Sequence, residues 1–587
     1  MTSIAIIQVD LHRGRFGHSV SLLDDLMGKS VLQHTIDRVA RIDGLDEIVL
    51  MHPPEQSLAG LYDTPARGPR VTTEAVQTRE GDDWLRSVID SGRKWALTAW
   101  RGGVGGMTIY DELLPAYGML EAMLGRGAES LVALRGDWCC IDPVLATKQL
   151  ELHRSAPEAM KLTFTQAPPG LSPLVIYRDA LQDLVEHNAT VANVLCYNPK
   201  KPAIDPMGKD VNVQVPASVR MQYRRFIYDT PRAVDHLQAV ASRLGDGFAG
   251  SDCQLITDTS RGVETDEPWR QFERLPQQIN VELSPRRPVS GPIVPQHHLD
   301  LSREDMSGEA LDALLDDLSG GTGVPPVDSR GGDYGRRARA TCRALCNDTA
   351  VLFGGLGDPL LHDDWCVTLE RATQACLLGV GIETDLLVDE QAIDRLAALP
   401  LDVIAVRINA DSAAVYGQLM GVDGFGQVMN NLERLFKARN GNRQRGEGFR
   451  GWVVPRLVKV AENLSDLETF FERWMMVAGW AVVDRAKTGR GLIPDMSPVP
   501  MEAPMPPGTP IDLTRQKQRL TVLSDGTVCL CGEDWLGRLP LGRLGDQGLA
   551  ELWRGSAALA DVSGGGAFVC PDCRRWLDAQ RELMASC

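Results

Sequence analysis

The sequence predicts an α/β protein built from three consecutive blocks. Short apolar runs alternate with amphipathic stretches over residues 1–245 and again over residues 276–490, and this alternation is typical of strands and helices in parallel sheets. Seven prolines between Pro494 and Pro510 then predict a stiff extended linker over residues 491–512. The third block, residues 513–587, contains closely spaced cysteines.

Length and charge exclude several classes of protein. The chain has 587 residues, so we expect several domains, because a typical domain has roughly 100 to 200. Its 61 Lys and Arg against 78 Asp and Glu give a net charge of -17, which repels nucleic acid and anionic lipid. The start of the chain has no basic flank of a signal peptide, and no apolar run reaches the length of a membrane span. We therefore expect a cytoplasmic protein that binds neither nucleic acid nor membrane.

The first block opens with a strand, a helix and a second strand. Ile4–Val9 is apolar, Ser30–Arg41 is amphipathic, and Glu47–Met51 returns to an apolar run. Later the run Ser130–Leu134 leads into Arg135-Gly-Asp137. Open α/β sheets bind ligands where their strands end, so Asp137 is a candidate binding residue.

The second block contains six strand candidates, most of them separated by amphipathic helices, which predicts a partial (βα)6 barrel. These candidates are Gln278–Leu283, Ala350–Phe353, Val380–Thr384, Val403–Asn409, Trp452–Val460 and Ala481–Asp484. The second candidate leads into Gly354, Gly355, Gly357 and Asp358. Because glycine lets a ligand approach the backbone closely, this loop is a candidate cofactor site.

The cysteines of the third block have the spacing of metal ligands. Asp525-Gly526 predicts a hairpin turn that places Cys529 and Cys531 on the second strand of the hairpin. The pair Cys570 and Cys573 forms a CxxC turn, and the chain ends at Cys587. Four thiolates suit zinc or a 4Fe–4S cluster equally well, and buried structural thiols are the simplest alternative.

This third block resembles a SPASM domain of radical SAM (S-adenosylmethionine) enzymes. The resemblance rests on Asp525–Trp535, Leu541–Gly545, Leu549–Trp553 and the CxxC turn. It implies one 4Fe–4S cluster with Cys531, Cys570 and Cys573 as ligands. The cysteine that usually precedes the hairpin is absent from Thr514–Arg519, so Cys529 or Cys587 would replace it.

The second block is similar to the radical SAM barrel. In that family the loop corresponding to Gly354–Asp358 binds the amino group of SAM, and a CxxxCxxC motif after the first strand holds the cluster that cleaves it. Here the matching positions are Arg287, Gly291 and Val294, and none of these side chains ligates iron. The resemblance therefore implies SAM binding without ordinary radical initiation. Cys342 and Cys346 have helical spacing and precede the second strand, so we interpret them as a structural pair.

The first block resembles sugar nucleotidyltransferases through Leu26–Val39, Leu45–Val49 and Arg135–Pro143. The resemblance implies a Rossmann-like sheet on which Lys29 offsets phosphate charge and Asp137 and Asp142 hold Mg²⁺ with a nucleotide. The order of the three blocks, with the missing cluster cysteines, is similar to the spiro-SPASM type of radical SAM relatives.

Three functions are compatible with these features. The first is an iron-sulfur protein of the radical SAM/SPASM type that binds, senses or assembles with a partner enzyme. The second is a Mg²⁺-dependent nucleotidyltransferase that uses a nucleotide sugar. The third is a radical SAM enzyme whose cluster ligands are displaced to Cys342 and Cys346.

Overall fold

The computed structural model describes most of the chain in two compact units, residues 1–267 and 270–556. The described ranges are 1–17, 22–77, 79, 89–92, 94, 116–165, 167–186, 212–220, 222, 224–267, 270, 273–320, 348–375, 377–479, 481–498 and 519–556. Among the residues discussed above, Cys342, Cys346, Pro510, Thr514, Cys570, Cys573 and Cys587 lie outside these ranges, as do residues 499–512 of the predicted linker.

The first unit contains a seven-stranded sheet and a small two-stranded ribbon within its described residues. The strands are β1 Ser3–Gln8, β2 Asp25–Leu26, β3 Lys29–Ser30, β4 Glu47–His52, β5 Arg70–Ala75, β6 Ser130–Arg135, β7 Leu162–Thr165, β8 Leu174–Tyr177 and β9 Asn212–Val213. The sheet has the order β5-β4-β1-β6-β8-β7-β9, and β2 pairs with β3 in the ribbon. Strands β5, β4, β1 and β6 are parallel, whereas β8 runs antiparallel to β6.

Helices cover this sheet, which matches the predicted α/β block. Their bounds are α1 Val31–Val39, α2 Ala116–Gly125, α3 Pro143–Ser155, α4 Arg178–Glu186, α5 Ala217–Arg220, α6 Pro231–Leu244 and α7 Cys253–Asp266. Helix α1 begins after Ser30, whose side chain accepts a hydrogen bond from the N–H of Gln33, as serine does at helix N-caps. The central strand β1 is buried from Ser3 to Ile7, so it forms the middle of the core.

The second unit is built on a nine-stranded sheet within its described residues. Its strands are β10 Gln278–Val281, β11 Ala350–Phe353, β12 Gly379–Thr384, β13 Val403–Arg407, β14 Trp452–Lys459, β15 Val482–Arg485, β16 Arg519–Val522, β17 Thr527–Cys529 and β18 Pro540–Arg543. Strands β10 to β15 lie side by side in chain order, each parallel to the next. The predicted six parallel strands are therefore confirmed.

The C-terminal hairpin extends the same sheet. Strand β16 pairs in parallel with β10, and β17 and β18 follow in antiparallel order. The turn between β16 and β17 contains Gly526 at a φ of 85°, a conformation that glycine adopts without steric cost. Its backbone N–H donates to the carbonyl oxygen of Leu523 at 2.9 Å. The predicted hairpin is thus confirmed.

Helices alternate with the parallel strands of the second unit. They are α8 Pro295–His298, α9 Gly308–Gly320, α10 Trp365–Gln374, α11 Glu390–Ala398, α12 Ala413–Met420, α13 Phe425–Arg445, α14 Leu467–Val477 and α15 Leu549–Gly555. One apolar core joins the strands to these helices and includes Leu520, Val522 and Val528 of the hairpin. The long helix α13 ends at Gly446, whose φ of 73° stops the helix in the left-handed region.

Candidate functional site

Several buried charged residues of the second unit lie at the carboxyl ends of its parallel strands. Glu282 follows β10, Gly354 follows β11, and Asp385 follows β12, while Arg407 is the last residue of β13. Parallel strands end at the same edge of a sheet, and ligands of open α/β sheets bind at that edge. This edge is therefore the candidate functional site.

Two arginines share one carboxylate at this edge. The Nε of Arg287 donates to Oδ2 of Asp385 at 2.8 Å, and a second N–H of Arg287 donates to Oδ1. The Nε of Arg407 lies 3.3 Å from the same Oδ1. The Asp385 side chain is fully buried, and the two arginine side chains are 6% and 9% exposed. Burial raises the pKa of Asp385, but Arg287 and Arg407 outweigh it and hold this pKa below its ordinary value.

The glycine loop after β11 already has partners within the protein. Arg407 donates to the carbonyl oxygens of Gly355 and Gly357 at 3.0 and 2.8 Å. Asp358 accepts from the N–H of Leu360 with one oxygen, and from Thr384 and the N–H of Asp385 with the other. Burial raises the pKa of Asp358, and the charge of Asp385 raises it further. The predicted cofactor residues are thus brought together, but these groups bond to the protein itself.

The segment that should hold the barrel cluster has no room for one. A Cβ added to Gly291 would lie 2.1 Å from the carbonyl oxygen of Leu419 and 2.5 Å from the nitrogen of Gly421. The backbone N–H of Gly291 donates to the carbonyl oxygen of Met420 at 2.8 Å. Val294 is fully buried in the apolar core. The residues at these positions therefore do not fit an iron-sulfur cluster.

A second buried ion pair connects β10 to the C-terminal hairpin. Arg303 and Glu282 approach to 2.9 Å, with side chains 10% and 2% exposed. Glu282 also accepts from the N–H of Ser524 at 3.3 Å, and Arg303 donates to the carbonyl oxygen of Trp535 at 2.6 Å. Burial raises the pKa of Glu282 despite the opposing effect of Arg303. This pair fixes the start of the cysteine-bearing segment against the barrel.

The two described cysteines of the candidate metal centre differ in position. Cys529 is the last residue of β17 and is fully buried, whereas Cys531 lies beyond the strand. The prediction that both lie on the strand is wrong for Cys531, because the chain turns after Cys529. Burial, together with the charge of Asp534, raises the pKa of Cys529 to about 12. The other three predicted ligands, Cys570, Cys573 and Cys587, lie outside the described residues.

The predicted nucleotide residues of the first unit have local partners. Lys29 pairs with Asp37 at 2.6 Å. One oxygen of Asp142 accepts from the N–H groups of Val144 and Leu145, and the other accepts from the N–H of Cys253. Asp137 is buried, with an oxygen 3.5 Å from the Nε of Arg135. Asp142 therefore acts as a helix cap, and its role as a Mg²⁺ ligand stays a prediction.

Sequence reasoning did not assign a role to Glu282, Asp385 or Arg407. A usable signal was present, because each charged residue directly follows or ends a strand of the parallel sheet. A charge at that position lies at the ligand-binding edge of a parallel sheet. Which charges pair with one another depends on strand order, and the sequence pattern does not contain that order.

Across the described ranges, no three His, Cys, Asp or Glu side chains are grouped to hold a metal ion. No helix in the described part of the chain combines the length and the hydrophobicity of a membrane span.

Comparison with known proteins supports one part of the chain most directly. Residues 514–575 match the SPASM family, described as an iron-sulfur cluster-binding domain. An uncharacterized protein of Treponema pallidum (strain Nichols) is 27% identical over 208 residues, which are 34% of this chain and 55% of that protein. The chain thus spans about half the length of that relative.

Two solved structures show limited similarity to this chain. SuiB of Streptococcus suis is 12% identical with a TM-score of 0.35, covering 59% of this chain and 85% of its own. A cytidylyltransferase from Leptospira borgpetersenii is 12% identical with a TM-score of 0.29, covering 46% of this chain and 96% of its own. The prediction from the C-terminal cysteine pattern agrees with the family match, because residues 514–575 match the SPASM family, which is described as an iron-sulfur cluster-binding domain.

Proposed function

We propose that the chain is an iron-sulfur protein of the radical SAM/SPASM type that does not start radical chemistry. It acts by binding, sensing or assembling with a partner enzyme in the cytoplasm. The observation that carries the proposal is the buried group of Arg287, Asp385 and Arg407 at the carboxyl edge of the barrel strands. A guanidinium group cannot ligate iron, and this one is held in place by a fully buried carboxylate.

The packing around this group supports the same conclusion. Gly291 touches the backbone of Leu419 and Gly421 so closely that a cysteine at position 291 would require the two segments to separate. Three thiolates must converge to leave one iron open for SAM. Nothing in the described part of this edge provides them, so no step of catalysis is assigned to a barrel cluster.

We assign one 4Fe–4S cluster to the C-terminal domain. Cys531, Cys570 and Cys573 are its proposed ligands, with Cys529 or Cys587 as the fourth. Cys531 is the better candidate of the two described cysteines, because Cys529 is buried beside Asp534, where a thiolate is disfavoured. The cluster supplies electron transfer or structural stability when it is bound.

Metal analysis of single-cysteine variants tests the cluster assignment. Protein purified without oxygen should contain about four iron and four sulfide per chain, as expected for one 4Fe–4S cluster. Cys531→Ser and Cys570→Ser should lose the iron-sulfur absorbance, whereas Cys366→Ser, on helix α10 of the barrel, should keep it. Stoichiometric zinc without iron would contradict the assignment.

Reductive cleavage of SAM tests the absence of radical initiation. Dithionite-reduced protein with its cluster intact should produce no deoxyadenosine from SAM. Formation of deoxyadenosine that disappears in a Cys342→Ser, Cys346→Ser double variant would instead establish the displaced-ligand enzyme. Release of pyrophosphate from a nucleoside triphosphate and a sugar phosphate, dependent on Asp137, would establish the transferase.

A further inference from the structure

One buried arginine of the second unit lacks the partner that such a group normally has. Arg439, on helix α13, is 6% exposed. Its Nε is buried and has no hydrogen-bond acceptor among the described residues. A buried polar group without a partner costs free energy, and a buried charge costs more. Arginine stays protonated at neutral pH, so this position calls for an anion.

The surroundings of Arg439 add positive charge instead of removing it. One helical turn away lie Leu435, Phe436, Asn442 and Arg443, none of which is acidic. Burial lowers the pKa of Arg439 to about 9, and the nearby charge of Arg443 acts in the same direction. Burial also lowers the pKa of Arg443. Arg443 donates from its Nε to the carbonyl oxygen of Arg450 at 3.3 Å, whereas the Nε of Arg439 has no such acceptor within the described residues.

The aromatic contact of Arg439 does not resolve this imbalance. Its guanidinium carbon lies 4.8 Å from the ring centroid of Phe436. A ring face attracts a cation, but this contact does not supply a hydrogen-bond acceptor for the Nε–H group. The same ring stacks at 6.3 Å on Trp474, whose indole N–H is likewise buried without an acceptor within the described residues. Two donors without acceptors therefore flank one phenylalanine.

The negative end of the helix dipole accounts for the arginines in the last turn of α13 but not for Arg439. Arg443 and Arg445 belong to the last turn of α13, where a cation is favourable. Arg439 lies six residues before Arg445, about 9 Å along the axis, and on the buried side of the helix. The dipole effect falls off within the last turn, so Arg439 needs another explanation.

We propose that Arg439 and Arg443 form a binding site for a small oxyanion of the phosphate type. Residues at i and i+4 of a helix are neighbours, and two guanidinium groups so placed suit the several oxygens of one phosphate. Arg443 is partly exposed, so the anion reaches Arg439 past it. Because Arg439 is nearly closed off, the site fits a single phosphate group better than an acidic peptide.

Anion binding to the full-length protein tests this site. Inorganic phosphate should raise the melting temperature at constant ionic strength, and chloride at the same ionic strength should not, because a ligand that binds only the folded state stabilises it. Calorimetry should show phosphate affinity reduced about tenfold or more in Arg439→Gln and in Arg443→Gln, since each loses a charge-assisted hydrogen bond. Arg434→Gln is the matched control, because Arg434 lies on the same helix and pairs with Asp394 at 2.6 Å.

Each outcome of this experiment decides the proposal. Equal stabilisation by chloride, or unchanged phosphate affinity in Arg439→Gln, overturns it. Should Arg439→Gln fail to fold, Arg443→Gln decides in its place, because its side chain is partly exposed. A nucleoside monophosphate that binds more tightly than phosphate, with the same loss in Arg439→Gln, identifies the phosphate as part of a nucleotide. The iron and SAM measurements are independent of these results.

Discussion

The buried arginines of the second unit form two groups that differ in their counter-charges. At the carboxyl edge of the strands, Arg287 and Arg407 share the carboxylate of Asp385, and Arg407 also donates to the carbonyl oxygens of the glycine loop. In the last third of helix α13, Arg439 is also buried, and its neighbours are the ring of Phe436 and a second arginine, Arg443. The protein itself compensates the first group, whereas the Nε of Arg439 has no hydrogen-bond acceptor within the described residues.

This difference separates structural charge from ligand-binding charge. A compensated group holds elements together, and removal of one member leaves a buried charge without a partner. An uncompensated group costs stability until a ligand arrives. The same physical rule therefore predicts opposite effects of mutation at the two places.

The largest effect is expected from the loss of the shared carboxylate. Asp385→Ala leaves Arg287 and Arg407 buried without their partner, which should reduce the free energy of unfolding by about 3 to 5 kcal/mol. Urea titration measures this loss. Asp394→Ala, which breaks the exposed pair with Arg434, is the control and should leave the midpoint nearly unchanged. Similar behaviour of both variants would show that the carboxyl edge is not a structural group.

The pH dependence of the free energy of unfolding should show the contribution of the charged Asp385 carboxylate. Arg287 and Arg407 hold the pKa of Asp385 below its ordinary value of 3.8. A carboxyl group with a lowered folded pKa contributes stability above its unfolded pKa and loses that contribution as the pH falls through the folded value. The stability difference between wild type and Asp385→Asn should thus be constant from neutral pH to about pH 4 and shrink below it.

A difference that grows on acidification would contradict this assignment. Unfolding curves between pH 3 and pH 7 provide the measurement, with Asp394→Asn as the exposed control. Asp394 also has a pKa lowered by Arg434, but its side chain is largely exposed. Its substitution should change stability little at any pH.

The close packing of the carboxyl edge around Gly291 should be detectable as a loss of stability when a side chain is added there. Gly291→Ala places a methyl group against the backbone of Leu419 and Gly421 and should destabilise by about 1 to 3 kcal/mol, as overpacking does. Gly426→Ala is the control, because a Cβ there meets nothing within 4 Å and alanine favours the helix. The melting temperature should therefore fall in Gly291→Ala and should rise or stay unchanged in Gly426→Ala. An unchanged midpoint for Gly291→Ala would mean that the segment opens easily.

The smallest expected effect lies at the uncompensated arginine. Arg439→Met keeps the apolar stem and removes the buried charge, so in phosphate-free buffer the protein should gain about 1 kcal/mol. In contrast, Arg287→Met removes one partner of a compensated group and should destabilise. Unfolding of both variants with and without phosphate sharpens the comparison. A large loss for Arg439→Met without anion would place Arg439 among the structural charges.

Local patterns in the sequence predicted the elements well. The apolar run Ala350–Phe353 became β11 with the same bounds, and Asp525-Gly526 became the turn of the hairpin. Helix α13 continues to Arg445, because it ends where Gly446 can adopt a positive φ. The candidate site was predicted less completely, since only its glycine loop has a local pattern.

The sequence by itself determined the α/β class, the succession of six strand candidates along the chain and the SPASM cysteine spacing, because periodicity and spacing are local properties of the chain. Only the tertiary structure decided which charges compensate one another. Arg287 finds its partner 98 residues away in Asp385, whereas Arg439 finds none among the described residues. Strand order brings distant residues to one edge, and charge pairing there depends on distances that no stretch of sequence encodes.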